Sequence, residues 1–238
     1  MNLIIAATKR LANFTLDVDI TLPLTGVHAV VGPSGAGKST LLRLIAGLDN
    51  PDSGFIHFRG TVWTDRQLRV NVAPNRRPVG MVFQDFALFP HLTMLENVQF
   101  ATDDGFWAES LMHTLGVWPI RFAKPDRVSG VERQRCAICQ ALARKPELLL
   151  LDEPFAALDP VTRRTLGTLL RETADKLAIP MILVTHDLDE ALTLSDSILT
   201  LEHGKMSSGW LEQRVEELER NAARSRTLLK QKHSEARA

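Results

Sequence analysis

The sequence predicts an α/β fold built on a mainly parallel sheet covered on both faces, and three observations predict it. Short apolar runs alternate with helical patterns. The runs are continuous rather than alternating, and each is bounded by Gly, Pro or charge. Apolar residues make up 45% of the 238, enough to bury one large core or one core with a small insert. A strand hidden on both faces has no polar side, so its sequence loses the alternation of a half-exposed strand.

In chain order, the segment from Ile4 to about Val70 holds the alternating stretches FTLDVDITL and GFIHFRG, which fit antiparallel strands. Within it, HAVVG is the first buried-strand candidate and runs into a helix over Lys38 to Leu48. VGMVFQ is the second such strand, and residues from about Asn97 to Asp126 read as a small helical insert. Helices over Val131 to Arg144, Pro160 to Leu177 and Leu188 to Leu194 alternate with the strands ELLLLD and PMILVTH. There is no internal repeat and no low-complexity linker.

Charge excludes some functions. Lys+Arg and Asp+Glu both number 28, so the chain has no global basic field of the kind that coats nucleic acid, and no nucleic-acid partner is expected. No apolar run approaches the roughly 18 residues needed to cross a bilayer, and the N-terminal apolar stretch is too short for a secretory signal. A cytosolic location is expected. Cys136 and Cys139 form a CxxC, but no second CxxC or His pair completes a metal site, and they sit among small apolar residues of one helix. They read as core.

Gly32 to Ser39 matches G-x-x-x-x-G-K-[ST] between the strand HAVV and the helix KSTLLRLIAGL. Glycines let successive backbone N–H groups turn inward, the helix start adds its positive end, and Lys38 can reach outer phosphates. Gly32, Pro33, Ser34, Gly35, Ala36, Gly37, Lys38, Ser39 and Thr40 are therefore the candidate nucleotide-triphosphate loop, with Ser39 placed to ligate Mg2+. In ELLLLDEPFAALD, four leucines carry the chain through the core and deliver Asp152 and Glu153 to a strand end, the edge where open α/β sheets bind ligands. Asp152 would hold the metal through water and Glu153 would take a proton from the attacking water. Gln84, ending VGMVFQ, is a candidate contact to metal or water, and His186 in VTHD a candidate hydrogen-bond partner of the γ-phosphate.

The ordered set GPSGAGKST, VFQDFALFPHLT, RVSGVERQR, LLLLDEPFAALD and VTHD resembles the ATP-binding cassette ATPases over roughly Asn2 to Lys205. That resemblance implies a P-loop NTPase with a RecA-like core, an antiparallel β-subdomain and a small helical subdomain. It divides the chain into a nucleotide-binding domain at 1–205, its helical subdomain at about 97–130, and a C-terminal helical tail at 206–238 without a separate regulatory domain. Two cassettes, as a homodimer or a paired cassette, would sandwich two ATP molecules. Gln84 would be the Q-loop residue, Asp159 the D-loop residue and His186 the switch histidine. Ser129, Gly130, Val131 and Glu132 would be the signature, touching ATP bound by the opposite subunit.

Two positions depart from the family pattern. Val131 stands where a glycine is usual, and its branched side chain is expected to add bulk and restrict φ and ψ close to the partner's γ-phosphate, slowing hydrolysis. The family stacks adenine on an aromatic near the N-terminus, often tyrosine, and this chain has no tyrosine. Phe14 is the candidate, and an ordinary core phenylalanine is the equal alternative.

VFQDFALFPHLTMLENV resembles the surface on which importer cassettes receive a membrane subunit, which makes Phe86, Leu88, Phe89, His91 and Leu92 candidate contacts. GTVWTDRQLRVNVAPNRRPVGMVFQDFALFPHL is similar to the corresponding stretch of molybdate importer ATPases; sulfate, thiamine and polyamine importers are alternatives. The resemblance implies a peripheral ATPase on the cytoplasmic face of the inner membrane, under two transmembrane permease subunits fed by an extracytoplasmic solute-binding protein. Soluble cassettes of translation or repair, and a nucleotide-gated regulatory cassette with little turnover, are the other classes. In the tail, Leu211, Val215, Leu218, Ala222, Ser225 and Leu229 draw an apolar stripe on a helix, too weak for a coiled coil.

Overall fold

The computed structural model describes residues 1–156, 158–207, 209–216 and 220. Alternation builds the first hairpin. In β1 (Asn2–Arg10) and β2 (Thr15–Pro23) alternate side chains are buried, Leu16, Val18, Ile20 and Leu22 in β2, and the pair runs antiparallel from Asn2 opposite Pro23 to Arg10 opposite Thr15. β3 (Val27–Val31) is buried at all five positions and leads into α1 (Lys38–Ala46). β4 (Ser53–Phe58), β5 (Thr61–Asp65) and β6 (Val70–Asn71) follow, then β7 (Val79–Val82).

α1 starts without a side-chain cap, at Gly37, whereas the later α-helices start where side chains satisfy their free N–H groups. α2 (Met94–Gln99) and α4 (Gly130–Ala143) open on reciprocal boxes, Thr93 with Glu96 and Ser129 with Glu132. α3 (Gly105–Thr114) is capped by Asp104. β8 (Leu148–Asp152) precedes α5 (Pro160–Leu177), which is capped by Asp159 and has its proline in the first turn. β9 (Met181–Thr185) precedes α6 (Leu188–Leu194), capped by Asp187. β10 (Ser197–Glu202) and β11 (Lys205–Met206) close the series.

One sheet joins the strands in the order β6-β5-β4-β1-β2-β11-β10-β3-β9-β8-β7. From β10 to β7 every neighbour is parallel, and from β6 to β2 every neighbour is antiparallel. β11 makes the seam, antiparallel to β10 and parallel to β2. Along β8, Leu149 and Leu151 enter the core shared with α4 and α5, and Leu148 and Leu150 enter the core shared with α1 and the antiparallel strands. This is the two-faced burial that the leucine run predicts. The α/β class expected from sequence is borne out.

Three details differ from the sequence reading. α1 ends at Ala46 because Gly47, at φ 76°, turns the chain in the left-handed region. Helix also begins earlier in the insert, at Met94, where the Thr93 and Glu96 box starts it. β10 and β11 carry no apolar run, since SILTLE is buried only at Thr200 and Leu201.

Cys136 and Cys139 are core, as expected. Their thiols donate to the carbonyls of Met94 and Leu111, and burial pushes Cys136 up to about 12 and Cys139 well above its usual range. Among the described residues no helix is long and apolar enough to cross a membrane. Residues 209–216 are helical, and Trp210 packs on Ala29, Val31 and Ala191. Of the tail stripe, Leu211 is part-buried and Val215 exposed, while Leu218, Ala222, Ser225 and Leu229 lie outside the described residues.

Candidate nucleotide-binding site

β3 ends at Val31, and the chain turns at Gly32. Its φ is 153°, and a Cβ there would lie 2.0 Å from the Leu201 carbonyl oxygen of β10, so only glycine lets the loop hug the sheet edge. The loop curls back until Lys38 is buried, its Nζ donating to the carbonyls of Gly32 and Pro33 at 2.9 Å each. The ammonium thus braces the loop from inside and keeps one further N–H. Burial lowers the lysine's pKa, against the pull of Glu153 and Asp152.

Ser39, one residue into α1, donates from Oγ to Oδ1 of Asp152 at 2.8 Å. Asp152 ends β8 and is itself buried; that burial raises its pKa, Glu153 adds to the rise, and the Ser39 bond opposes it. A hydroxyl and a carboxylate therefore meet at one point, the hard oxygen donor set that suits Mg2+ alongside phosphate oxygens. Among the described residues there is no cluster of three or more His, Cys, Asp and Glu side chains able to hold a metal by itself. A shared protein–phosphate cation site does not need one.

Glu153 follows with φ 45°, a left-handed backbone at a non-glycine residue. Its N–H donates to the Val184 carbonyl of β9 at 2.9 Å. Since β8 and β9 run parallel with Asp152 opposite Val184, the two strand ends lie side by side. His186 Nδ1 then comes within 3.1 Å of Glu153 Oε2. Residues 33 apart in sequence are brought into one hydrogen bond by sheet register alone.

A pocket of about 370 Å3 opens on this edge, lined by Phe14, Ser34, Gly37, Lys38, Ser39, Thr40 and also by Gln84 and Glu153. Phe14 stands at its mouth beside the phosphate loop, 3.4 Å from where a Gly37 side chain would begin. Pro33 and Ala36 shape the loop behind, with the Ala36 N–H donating to the Pro33 carbonyl at 3.2 Å. Gln84, exposed beyond β7, borders the pocket on the far side.

The signature residues stand elsewhere. Ser129 Oγ and N–H both donate to Glu132 Oε2, at 2.7 and 2.8 Å, while Ser129 Oγ takes the Glu132 N–H at 3.3 Å. None of Ser129, Gly130, Val131 and Glu132 lines the pocket. Val131 is the second residue of α4, outside the positive-φ positions, and its side chain packs partly on the helical core. Helical backbone accepts a β-branched residue at little cost. Asp159 Oδ1 accepts the N–H groups of Val161 and Thr162 at 3.1 Å each, which starts α5.

Two residues that the sequence reading passed over belong to this frame. Arg163 pairs with Asp187, the neighbour of His186, and donates to the Leu158 carbonyl at 3.1 Å, tying the segment after Glu153 to the turn that carries His186. Arg77 is wholly buried and closes the far end of α1, donating to the Leu44 and Ile45 carbonyls at 3.0 and 2.7 Å and to Thr64 Oγ1 at 2.8 Å. Burial pushes its pKa down to about 10. In APNRRPVG it looks like loop charge, and only the surrounding carbonyls reveal its work.

Behind the nucleotide edge lies an apolar groove of about 500 Å3, lined by Met81, Phe83, Phe86, Phe89, Phe100 and Gln140 among others. Of the predicted membrane-subunit contacts, Phe86 and Phe89 line it and Leu88 packs on the helical core. His91 stands 6.1 Å from the Phe89 ring, and His91 and Leu92 are outside the lining.

A nucleotide loop, a hydroxyl–carboxylate pair and a carboxylate–imidazole pair on the carboxyl edge of a parallel sheet define a P-loop nucleotide-binding protein. The family model described as ABC transporter matches residues 16–156, and the chain belongs to that family. It is 43% identical over 198 residues to the molybdenum import ATP-binding protein ModC of Methylococcus capsulatus, a match over 81% of this chain and 55% of that protein. It is also 43% identical over 210 residues to the sulfate/thiosulfate import ATP-binding protein CysA of Mycobacterium bovis, over 84% of this chain and 58% of the other. The chain thus spans a little over half the length of these curated relatives. The dimeric post-hydrolysis structure of the ATP-binding cassette MJ0796, bound to ADP and Pi, superposes with a TM-score of 0.71 at 28% identity, covering 87% of this chain and 97% of that one.

Proposed function

We propose that this chain is the ATP-binding and hydrolysing subunit that energises an importer, most simply one for molybdate or a related oxyanion. The observation that carries the reading is the pair of contacts on adjacent strand ends, Ser39 to Asp152 at 2.8 Å and Glu153 to His186 at 3.1 Å. The loop N–H groups from Gly32 to Thr40 and the Lys38 ammonium bind the triphosphate, and Phe14 receives the base. Ser39, Asp152 and Gln84 would hold Mg2+, which when bound supplies positive charge against the β- and γ-phosphates. Glu153 takes the proton of the attacking water, and the Nδ1 contact to Glu153 fixes the His186 ring so that its other nitrogen is free for phosphate.

The site is completed by a second copy. Because Ser129, Gly130, Val131 and Glu132 stand outside their own chain's pocket, they serve the partner's nucleotide, with Asp159 at the same junction. The dimeric relative supports this arrangement. Residues 1–205 form the cassette, with its helical subdomain at about 97–130, and the tail from 206 is an appendage. The phenylalanine-lined groove fits a helix presented by each of two permease subunits, which would hold the chain at the cytoplasmic face of the membrane and leave the solute-binding protein on the opposite side. Molybdate and sulfate uptake by cells lacking their own ATPase subunit tests the reading. The chain restores one of them and its Glu153→Gln variant does not; restoration of neither, with the protein present at the membrane, overturns it.

A further inference from the structure

Gln134 is the fifth residue of α4, at 1% exposure, and neither its Oε1 nor its Nε2 has a hydrogen-bond partner among the described residues. A carboxamide offers two donors and two lone pairs, and leaving all of them unmade inside a protein lowers stability. A methionine would fill the same volume without that cost, so the group asks for a functional explanation. Gln134 borders a second pocket, of about 300 Å3, together with Gln84, Phe86, Glu153, Pro154 and Leu158. Gln84 and Glu153 also line the nucleotide pocket, so these two side chains form the wall between the chambers. The Gln84 side chain is exposed and likewise makes no hydrogen bond among the described residues. Two unpaired carboxamides therefore share one pocket, one fixed on α4 and the other on the segment after β7.

We infer that Gln134 is a positioning residue for the hydrolytic site, and that its carboxamide docks Gln84 when α4 moves onto the strand ends. Two carboxamides can exchange two hydrogen bonds, each supplying an oxygen to the other's N–H. α4 is capped by Ser129, so the same rigid helix that presents the signature to a partner's nucleotide would place Gln84 against this chain's own. Contact with the second nucleotide is thereby felt at the first. This rests on the reading of the chain as a two-copy ATPase.

Turnover of the full chain is compared with that of Gln134→Met, Gln84→Ala and the double variant, with melting temperature and ATP affinity measured for each. Gln134→Met should melt no lower than wild type and bind ATP within about twofold of it, yet lose about tenfold in kcat. In the Gln84→Ala background the same change should cost nothing further, because the partner is already gone. Full activity in Gln134→Met, a fall in kcat that tracks a fall in melting temperature, or losses that multiply in the double variant would each overturn the docking. A wild-type chain that binds ATP without hydrolysing it would overturn the ATPase reading itself and this inference with it.

Discussion

At the residue scale, Glu190 stands beside the end of β9 with its carboxyl inside the protein. Oε2 takes the Thr185 hydroxyl at 3.2 Å, and Oε1 has no partner among the described residues. Burial raises its pKa from 4.5 to about 7, with Asp187 and Glu153 adding to the rise and Thr185 and Arg163 opposing it. Between those two pKa values the folded chain binds more protons than the unfolded chain, so this group's contribution to stability is present below about pH 4.5 and is lost as pH rises through 7. Glu190→Gln keeps an acceptor for Thr185 and removes the titration. Relative to wild type the variant should gain stability from pH 5 to pH 8, by up to about 3 kcal/mol. Melting curves of both proteins across that range check it, and a difference that stays constant with pH contradicts it. Such residues mark the limit of reading a sequence. The phosphate loop, Asp152 and Glu153 are legible because each residue type has a chemical reason at its spacing, whereas the buried Glu190, the left-handed backbone of Glu153 and the pairing of Arg163 arise only from packing.

At the element scale, the phosphate loop is only as well placed as α1, and α1 is held at its far end by Arg77. The guanidinium, lying 5.3 Å over the Trp63 ring, carries positive charge to the helix C-terminus, where the dipole favours it. Removing it in Arg77→Met leaves the Leu44 and Ile45 carbonyls and Thr64 without that donor, at a cost of about 3 kcal/mol or more. Gly47→Ala should be costly for the same reason, since its Cβ would fall 2.6 Å from Arg77 Nε at a φ of 76°. Urea unfolding measures both, and wild-type midpoints would show that the anchor carries no weight. Strands β3, β8 and β9 could be read from their unbroken apolar runs, and β2 from its alternation. β10 could not, because its pattern is set by neighbours on either side rather than by its own residues.

At the scale of the whole molecule, two surfaces look outward: the nucleotide edge, which we propose is completed by a second copy, and the phenylalanine groove, which we propose receives a membrane partner. Phe100 lines the groove at 69% exposure, its ring tilted 56° against Phe89 at 4.5 Å between centroids, and it is not part of the nucleotide pocket's lining. Phe100→Asp should leave the purified chain's basal ATPase unchanged and abolish solute uptake in cells. Uptake at the wild-type level would mean that the groove is not the coupling surface. Resemblance made the order of motifs readable along the whole chain. At Val131, which departs from the family pattern, the branched side chain lies partly on the helical core and the backbone is ordinary helix.

The central claim is that Glu153, held against His186 at a strand end, makes this chain an ATPase. Steady-state hydrolysis of Mg-ATP by the purified full chain, beside Glu153→Gln, tests it most directly. Wild type should turn over, and Glu153→Gln should fall by about 10²- to 10⁴-fold while binding ATP as before. Equal rates in the two proteins, or an idle wild type saturated with Mg-ATP, would contradict the account.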